Sequence, residues 1–479
     1  MKYLFRNILL SATLLVLLPI LTLAGDGKVK VIILHTNDMH SKIDNMAKLA
    51  YLADSLRQWN PHLFMVSAGD NFTGNPVVDM VPDKGYPMID LMNRCGFNVS
   101  AIGNHEFDMG QESLNKRINQ AKFPFISCNI DATSAVLKQP QPYFVLNAGK
   151  ELKIAILSAI QQNENGIPDS HPSNLKGITF TSGLQKMKAY TGLKKQYGAL
   201  IGLTHLGIEE DKRLADSMPE LDVILGGHSH TLLDKPVMEN GVMICQASAH
   251  LKYIGKLTLT FEDGHLTGRS DEVIAVASLT KEDTAIRAII DRYNTNKEFS
   301  RIVGIAEAPL NGLDELGSLM ADAVNMQLKL DITLQNQGGI RLWSLPQGDI
   351  TLKTIYQLDP FGNQVVVMKM NAAEISSLIS YGYNLEKGID FQVAGMTYQV
   401  TTDAENKVTG VEMKDLAGKP LDPARDYSVG LSTYVAVTYK FDHRDPGLTL
   451  NTTTSQALIE YLEKVKKVNY NGVKRAFVR

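Results

Sequence analysis

The sequence predicts an α/β protein built in two parts, and three features of its 479 residues carry that reading. From residue 28 to about 270, short β-type runs alternate with helical patterns. One amphipathic helix follows near 281–298, and a second alternation of strand-like and helical stretches runs from about 302 to the end. A chain this long exceeds what one hydrophobic core serves. Hydrophobic content of 44% and charged content of 21% are those of an ordinary globular protein. With 48 Lys and Arg against 51 Asp and Glu, the net charge of −3 gives no basic field to hold a nucleic-acid polymer. An anionic ligand must be drawn in by local charge.

The N-terminus reads as a segment outside the fold. Lys2 and Arg6 precede an apolar run from Ile8 to Leu23, and Thr22-Leu23-Ala24 offers small residues at a cleavage site. We expect residues 1–24 to be a signal peptide and the mature protein to be periplasmic or secreted, with no membrane association. An uncleaved anchor is the alternative, and Pro19 inside a run near the lower limit for a span speaks against it. Cys95, Cys128 and Cys245 are odd in number and lack CxxC spacing, and Cys128 and Cys245, in apolar runs, are expected to be buried thiols. The sequons at Asn71, Asn98 and Asn451 are read as chance, because Asn71 directly follows a candidate ligand.

The expected boundaries are 25–275 for the first domain, 276–300 for a helical connector and 301–479 for the second domain. In the connector, Ile286, Ile289, Ile290 and Tyr293 mark one helical face, and Thr280 with Asp283 suggests a capping box. The second domain holds strand-like "DITLQ" and "QVVVMKM", a hairpin from Tyr398 to Met413, and a closing helix in "TTTSQALIEYLEKVKKV". Of the 11 histidines only His443 lies beyond residue 300, so a metal site belongs to the first domain.

Five apolar runs in that domain end in residues that bind cations. "VKVIILHTNDMH" ends in Asp38 and His40, "LFMVSAGD" in Asp70, and "NVSAIGNHEFD" in Asn104, His105 and Asp108. "ALIGLTHLG" carries His205, and "DVILGGHSH" delivers His228 and His230. An open α/β sheet places ligands at the carboxyl ends of its strands, so five such ends in one sheet would converge. Any single motif here is weak; the ordered set is a metal-ligand constellation. Oxygen and imidazole donors without thiolates suit Zn, Mn or similar divalent ions rather than a structural zinc. Glu106 is expected to brace its loop, and His35, His62, His171, His250 and His265 fit no ligand position.

"ILHTNDMH", "SAGD", "GNHEFD", "THLG" and "GGHSH" resemble the motifs of calcineurin-like metallophosphoesterases. With a second domain following, the chain resembles the 5'-nucleotidase / UDP-sugar hydrolase family. The resemblance implies a first domain of two packed sheets flanked by helices (an αββα sandwich), a helix connector and a second α/β domain. It also implies two divalent metal ions. Asp38, His40 and His230 would hold one; Asn104, His205 and His228 would hold the other, with Asp70 bridging. His105, oriented by Asp108, would be the catalytic pair. Two dications against two carboxylates leave a positive site suited to a phosphate dianion, attacked by a metal-bound hydroxide.

In the second domain, "NQGGIR" resembles the family's substrate loop, which makes Asn336 and Arg341 the expected polar contacts. Phe361 in "DPFGN" and Tyr434 in "LSTYVA" stand where the family presents two aromatic walls for a base. The chain departs from the family after Tyr434. A Gly-Gly-Asp-Gly stretch is replaced by "VTYKFDH", with Lys440 near the Asp position and Asp442 two residues on. The expected function is phosphate release from nucleoside monophosphates. The alternatives are another phosphoester (a UDP-sugar, a cyclic nucleotide or a general monoester), or a non-catalytic nucleotide-binding protein.

Overall fold

Two six-stranded sheets packed face to face organise the first domain of the computed structural model, which describes residues 28–149 and 151–479. The expected signal segment 1–24 lies outside the described residues. Among those described, no helix is long and apolar enough to cross a membrane. The first sheet runs, in spatial order, His265–Ala275, Tyr253–Glu262, Lys28–Thr36, Leu63–Ser67, Val99–Ala101 and Phe125–Ile126. The last four strands are mutually parallel, and the hairpin strands before them are antiparallel. The second sheet runs Val237–Glu239, Val242–Cys245, Val223–Leu225, Ala199–His205, Lys153–Ile160 and Tyr143–Asn147.

Alternate residues explain the layering. Val31, Ile33, Val66 and Val99 meet Ile154, Ile156, Ile201, Leu203 and Val223 in a fully buried layer between the sheets. Their neighbours Leu34 and Met65 face outward, onto helices that include Met46–Arg57 and Tyr86–Cys95. Leu157, Leu200 and Ile224 do the same on the far side. Helices on both outer faces require apolar side chains on both sides of each central strand, which is why these runs read as nearly continuous hydrophobics. Cys128 and Cys245 are buried free thiols, as expected, and Cys95 is one as well.

The connector helix, Thr284–Asn294, buries Ile286, Ile289 and Ile290 and packs on Met46–Arg57. Its cap corrects the sequence reading. Asp283, not Thr280, is the N-cap, and its carboxylate accepts from Ile286 N at 2.7 Å. Asp283 is the last residue in extended conformation (φ −73°, ψ 119°), the geometry from which a side chain reaches the first turn's N–H groups.

The second domain is centred on a five-stranded sheet in the order Phe391–Ala394, Ile332–Asn336, Tyr427–Ser432, Gln364–Met370 and Leu448–Thr453. The expected hairpin forms between Met396–Thr402 and Val408–Asp415, with Tyr398 opposite Met413. The helix Thr454–Val465 does not end the fold. Lys467–Val468 then pairs with Ile302–Ala306, and Ala476–Val478 with Met396–Thr402.

His35 points between the sheets, with Nε2 3.1 Å from Asp271 Oδ1, and its ring lies over Gly255 on the neighbouring strand. A Cβ on Gly255 would fall within the His35 imidazole. Gly255→Ala should therefore cost about 1–3 kcal/mol of stability, read by denaturant unfolding.

Candidate metal centre

The nine residues singled out at strand ends meet at one edge of the sandwich. Asp38 and His40 follow Lys28–Thr36, Asp70 follows Leu63–Ser67, and Asn104, His105 and Asp108 follow Val99–Ala101. His205 closes its own strand, and His228 and His230 follow Val223–Leu225. Three of the five ends belong to one sheet and two to the other, which corrects the expectation of a single rim. The groups converge because the facing sheets terminate together. Asp38, His40, Asp70, His228 and His230 all have positive φ, between 47° and 76°. Non-glycine residues rarely adopt this region, and such strain concentrates at functional sites. Close approach of the loops needs glycine once in particular: a Cβ on Gly103 would collide with the Asp70 carboxylate.

Backbone carbonyls set the histidine tautomers. His205 Nδ1 lies 2.8 Å from Ala68 O, and His40 Nδ1 lies 3.0 Å from Thr73 O. A carbonyl only accepts, so Nδ1 carries a proton and Nε2 is the atom left facing inward, free to hold a metal ion once it gives up any proton of its own. His205 Nε2 is 3.1 Å from both Asp70 Oδ2 and Asn104 Oδ1. The Asn104 amide is oriented by donating to Asp169 O at 3.0 Å, which leaves its oxygen facing in, 3.1 Å from His228 Nδ1. On the other side His40 Nε2 is 3.0 Å from His230 Nε2 and 4.0 Å from Asp70 Oδ2, and His230 Nε2 is 3.6 Å from Asp38 Oδ1. Lone pairs thus converge on two points where the protein supplies few donors. Positive charge satisfies that arrangement, and an N/O donor set without sulfur fits a divalent cation. The ligand atoms of Asp38, His40 and His230 lie within 4.8 Å of one another, as do those of Asp70, His205 and His228.

The electrostatics show the same demand. Burial alone would lower the His205 pKa, yet Asp70 and Asp38 push it up to about 10. Burial opposes ionisation of Asp70 as well, but the His205 and His105 imidazoles hold it well below the usual carboxylate range. Burial, with His205 and Arg341 in second place, lowers His228 and His230 to about 3, so both are neutral donors.

His105 stands beside this cluster. Its Nδ1 is 2.6 Å from Asp108 Oδ2, its Nε2 is 3.9 Å from Asp70 Oδ2, and its backbone N donates to Asp70 Oδ1 at 2.9 Å. Burial pulls its pKa down, but Asp108 and Asp70 raise it above the ordinary value. Glu106 faces away and accepts from Asp70 N, Asn71 N, Asn71 Nδ2 and Gly103 N, which buries Asn71 completely. Two neighbours were not singled out from the sequence. His250 was read as structural, yet its ring lies 5.5 Å from that of His40 and its N donates to Asp38 O at 2.7 Å. Asp169 brings a carboxylate within 3.7 Å of His228 Nε2 from an irregular loop that carries no periodic signal.

Asn336, Arg341, Phe361 and Tyr434 face the same centre from the second domain, around a cavity of about 260 Å³ shared with Asp70, His105 and His228. Arg341 Nη2 is 3.4 Å from His40 Nε2, and its guanidinium lies 5.6 Å from the Phe361 ring. Phe361 in turn stacks on His105 at 5.7 Å and 27°. Lys440 instead pairs with Glu164 at 3.4 Å, and neither it nor Asp442 lines the cavity among the described residues; Asn363 and Glu386 do.

The calcineurin-like phosphoesterase profile matches residues 31–232, and the 5'-nucleotidase C-terminal domain profile matches 299–439. The chain thus carries a calcineurin-like phosphoesterase domain followed by a 5'-nucleotidase C-terminal domain. A solved structure from Thermus thermophilus, described as a 5'-nucleotidase precursor, superimposes with a TM-score of 0.81 at 25% identity, covering 94% of this chain and 99% of that one. The 5'-nucleotidase of Vibrio cholerae is 27% identical over 93% of this chain and 92% of its own. Endonuclease YhcR of Bacillus subtilis is 28% identical over 90% of this chain, which spans only 39% of that longer protein. Calcineurin-like phosphoesterases and 5'-nucleotidases are metal-dependent phosphoric ester hydrolases, and the Asp and His groups of this chain can hold divalent metal.

Glu106→Ala would strand four buried donors. It should destabilise the protein by at least about 2 kcal/mol, measured by urea unfolding against the wild type.

Proposed function

We propose that the protein is a periplasmic or secreted 5'-nucleotidase that releases phosphate from nucleoside monophosphates at two divalent metal ions, Zn, Mn or similar. The observation that carries this reading is the shared cavity. Convergent N and O donors line one wall, and an arginine with two aromatic rings lines the other. In this reading residues 25–275 form the catalytic domain, 276–300 the connector and 301–479 the substrate-binding domain. Asp38, His40 and His230 would hold one ion and Asn104, His205 and His228 the other, with Asp70 shared by both sets. When bound, such ions polarise phosphoryl oxygens and lower the pKa of water towards neutrality.

The chain's own groups do the rest. Asp108 fixes the His105 ring through Nδ1, leaving Nε2 to give a proton to the departing alkoxide. Arg341 offers a planar fork of N–H donors to the phosphoryl oxygens, and Asn336 a neutral amide beside it. Phe361 and Tyr434 provide faces for a base. A second reading, hydrolysis of a different phosphoester, is favoured by one observation: Lys440 and Asp442 stay out of the cavity.

Phosphate release from AMP, UDP-glucose and p-nitrophenyl phosphate separates the two readings. We expect AMP turnover that needs Mn or Zn and is abolished by chelator. Turnover of p-nitrophenyl phosphate alone refutes the nucleotide assignment, and none at all from metal-loaded protein refutes the hydrolase. His105→Ala should lower kcat by about 10²–10⁴-fold. Phe361→Ala should raise KM for AMP by roughly ten-fold, from loss of one stacking contact.

A further inference from the structure

The side chains that the second domain brings to the cavity stand on separate segments. Asn336 and Arg341 flank the turn Gln337–Gly339, and Tyr434 stands on the short helix Thr433–Thr438. The strands that lead into them, Ile332–Asn336 and Tyr427–Ser432, pair in parallel only through Ile332 and Thr333. Beyond those two residues the ladder no longer fixes one segment against the other. Recognition that uses both walls needs a further tie.

Asp390 and Tyr439 form that tie. Asp390 directly precedes the strand Phe391–Ala394 and is buried. Its backbone O accepts from Gln337 N at 2.8 Å, and its Oδ1 accepts from the same N–H at 3.1 Å. The start of the turn is held there, because Asn336 makes no side-chain cap bond of its own. Asp390 Oδ2 accepts from the Tyr439 hydroxyl at 2.9 Å. Tyr439 closes the helix, its N donating to Val435 O at 3.1 Å, and its ring meets that of Tyr434 edge-on at 6.3 Å and 73°. One carboxylate thus joins the turn beside Asn336 to the helix that carries Tyr434, through charge-assisted bonds. Burial and the Glu386 carboxylate push Asp390 up to about 7, and both donors oppose that rise. Neither residue has a part in the proposed reaction, and Tyr439 lies in the "VTYKFDH" stretch that departs from the family motif.

We propose that Asp390 and Tyr439 are positioning residues, whose hydrogen bond sets the Tyr434 ring at a fixed distance from Asn336 and Arg341 so that one phosphoester carrying a flat ring meets both walls at once. Neither touches the substrate; Asp390 acts through the turn, and Tyr439 through Tyr434. The proposal rests on the nucleotidase reading above and deepens it.

The test measures kcat and KM at pH 8, where the Asp390 carboxylate is ionised, for AMP and for ribose 5-phosphate, which keeps the phosphoryl group and sugar but has no base. Tyr439→Phe removes one hydroxyl and keeps the ring. It should raise KM for AMP about five-fold, with kcat for AMP and both constants for ribose 5-phosphate within about two-fold of the wild type. Asp390→Ala should raise KM for AMP about ten-fold. Asp390→Asn keeps an oxygen for Gln337 N and offers an N–H to the Tyr439 oxygen, so it should bring KM back to within about two-fold. The double variant Tyr439→Phe/Asp390→Ala should be no worse than Asp390→Ala, because both changes break one bond. An unchanged KM for AMP in Tyr439→Phe overturns the proposal. So does an equal rise for both esters or a loss confined to kcat, either of which means a structural role, and so do additive losses in the double variant. A wild type inactive on AMP refutes the nucleotidase reading and the proposal with it, before any variant is made, whereas an active wild type that Tyr439→Phe matches refutes the proposal alone.

Discussion

The buried carboxylate of Glu106 ties the rim of the first domain together. It accepts from Asp70 N at 2.9 Å, Asn71 N at 2.7 Å and Gly103 N at 2.7 Å, so one side chain joins the loops that leave two neighbouring strands. Burial and the neighbouring Asp70 raise its pKa, and the N–H donors oppose that rise. The consequence is the position of Asp70. Held at φ 53°, it reaches His105 N with one oxygen and lies near His205, His105 and His40 with the other. The central position of Asp70 among these histidines thus depends on a residue that faces away from them.

The two domains divide the labour differently from their sequence lengths. The first supplies every carboxylate and imidazole of the metal-facing cluster, from turns at the ends of buried strands, where packing fixes them. The second supplies Arg341, Phe361 and Tyr434 on loops and helix starts. Polar ties hold the two faces together around the cavity: Arg341 to His40, Glu164 to Tyr381 and Lys440, and Asn165 Nδ2 to Thr438 O. The Arg341 tie reaches buried His40, the ties at Glu164 and Asn165 lie at exposed positions, and one hydrophobic cluster runs from the first domain into the second beneath them.

Much of this was legible in the sequence because metal chemistry there coincides with a local signal. A buried strand ends, a glycine turns the chain, and a histidine or carboxylate follows; "GNHE" and "GGHSH" each encode all three. The alternation of strands and helices was equally plain. Periodicity could not assign strands to sheets, since a run covered on both faces looks alike in either, and the single-rim expectation failed for that reason. The connector's cap failed because Thr280 and Asp283 are both capable side chains, and only the backbone conformation selects between them. Asp169, His250 and Glu386 went unseen as neighbours of the metal-facing cluster and its cavity. They lie on irregular segments or at the last turn of a helix, and their neighbourhood exists only after the chain folds.

The same distinction bears on Lys440. Read by alignment of motifs, it stands where a ribose contact was expected and looks like a loss of recognition. In the fold it reaches Glu164 on the opposite domain, one of the carboxylates lining a second cavity beside the metal-facing one, and neutralises it. Glu210 is neutralised by Arg213 in the same way, which leaves Asp169 and Glu386 as the acceptors without a cationic partner. The substitution therefore removes negative charge from the cavity's edge while leaving two carboxylates at the junction with the metal-facing cavity. Lys440 therefore acts in this fold as a tie between the domains, outside the metal-facing cavity, whatever its place in the motif suggests.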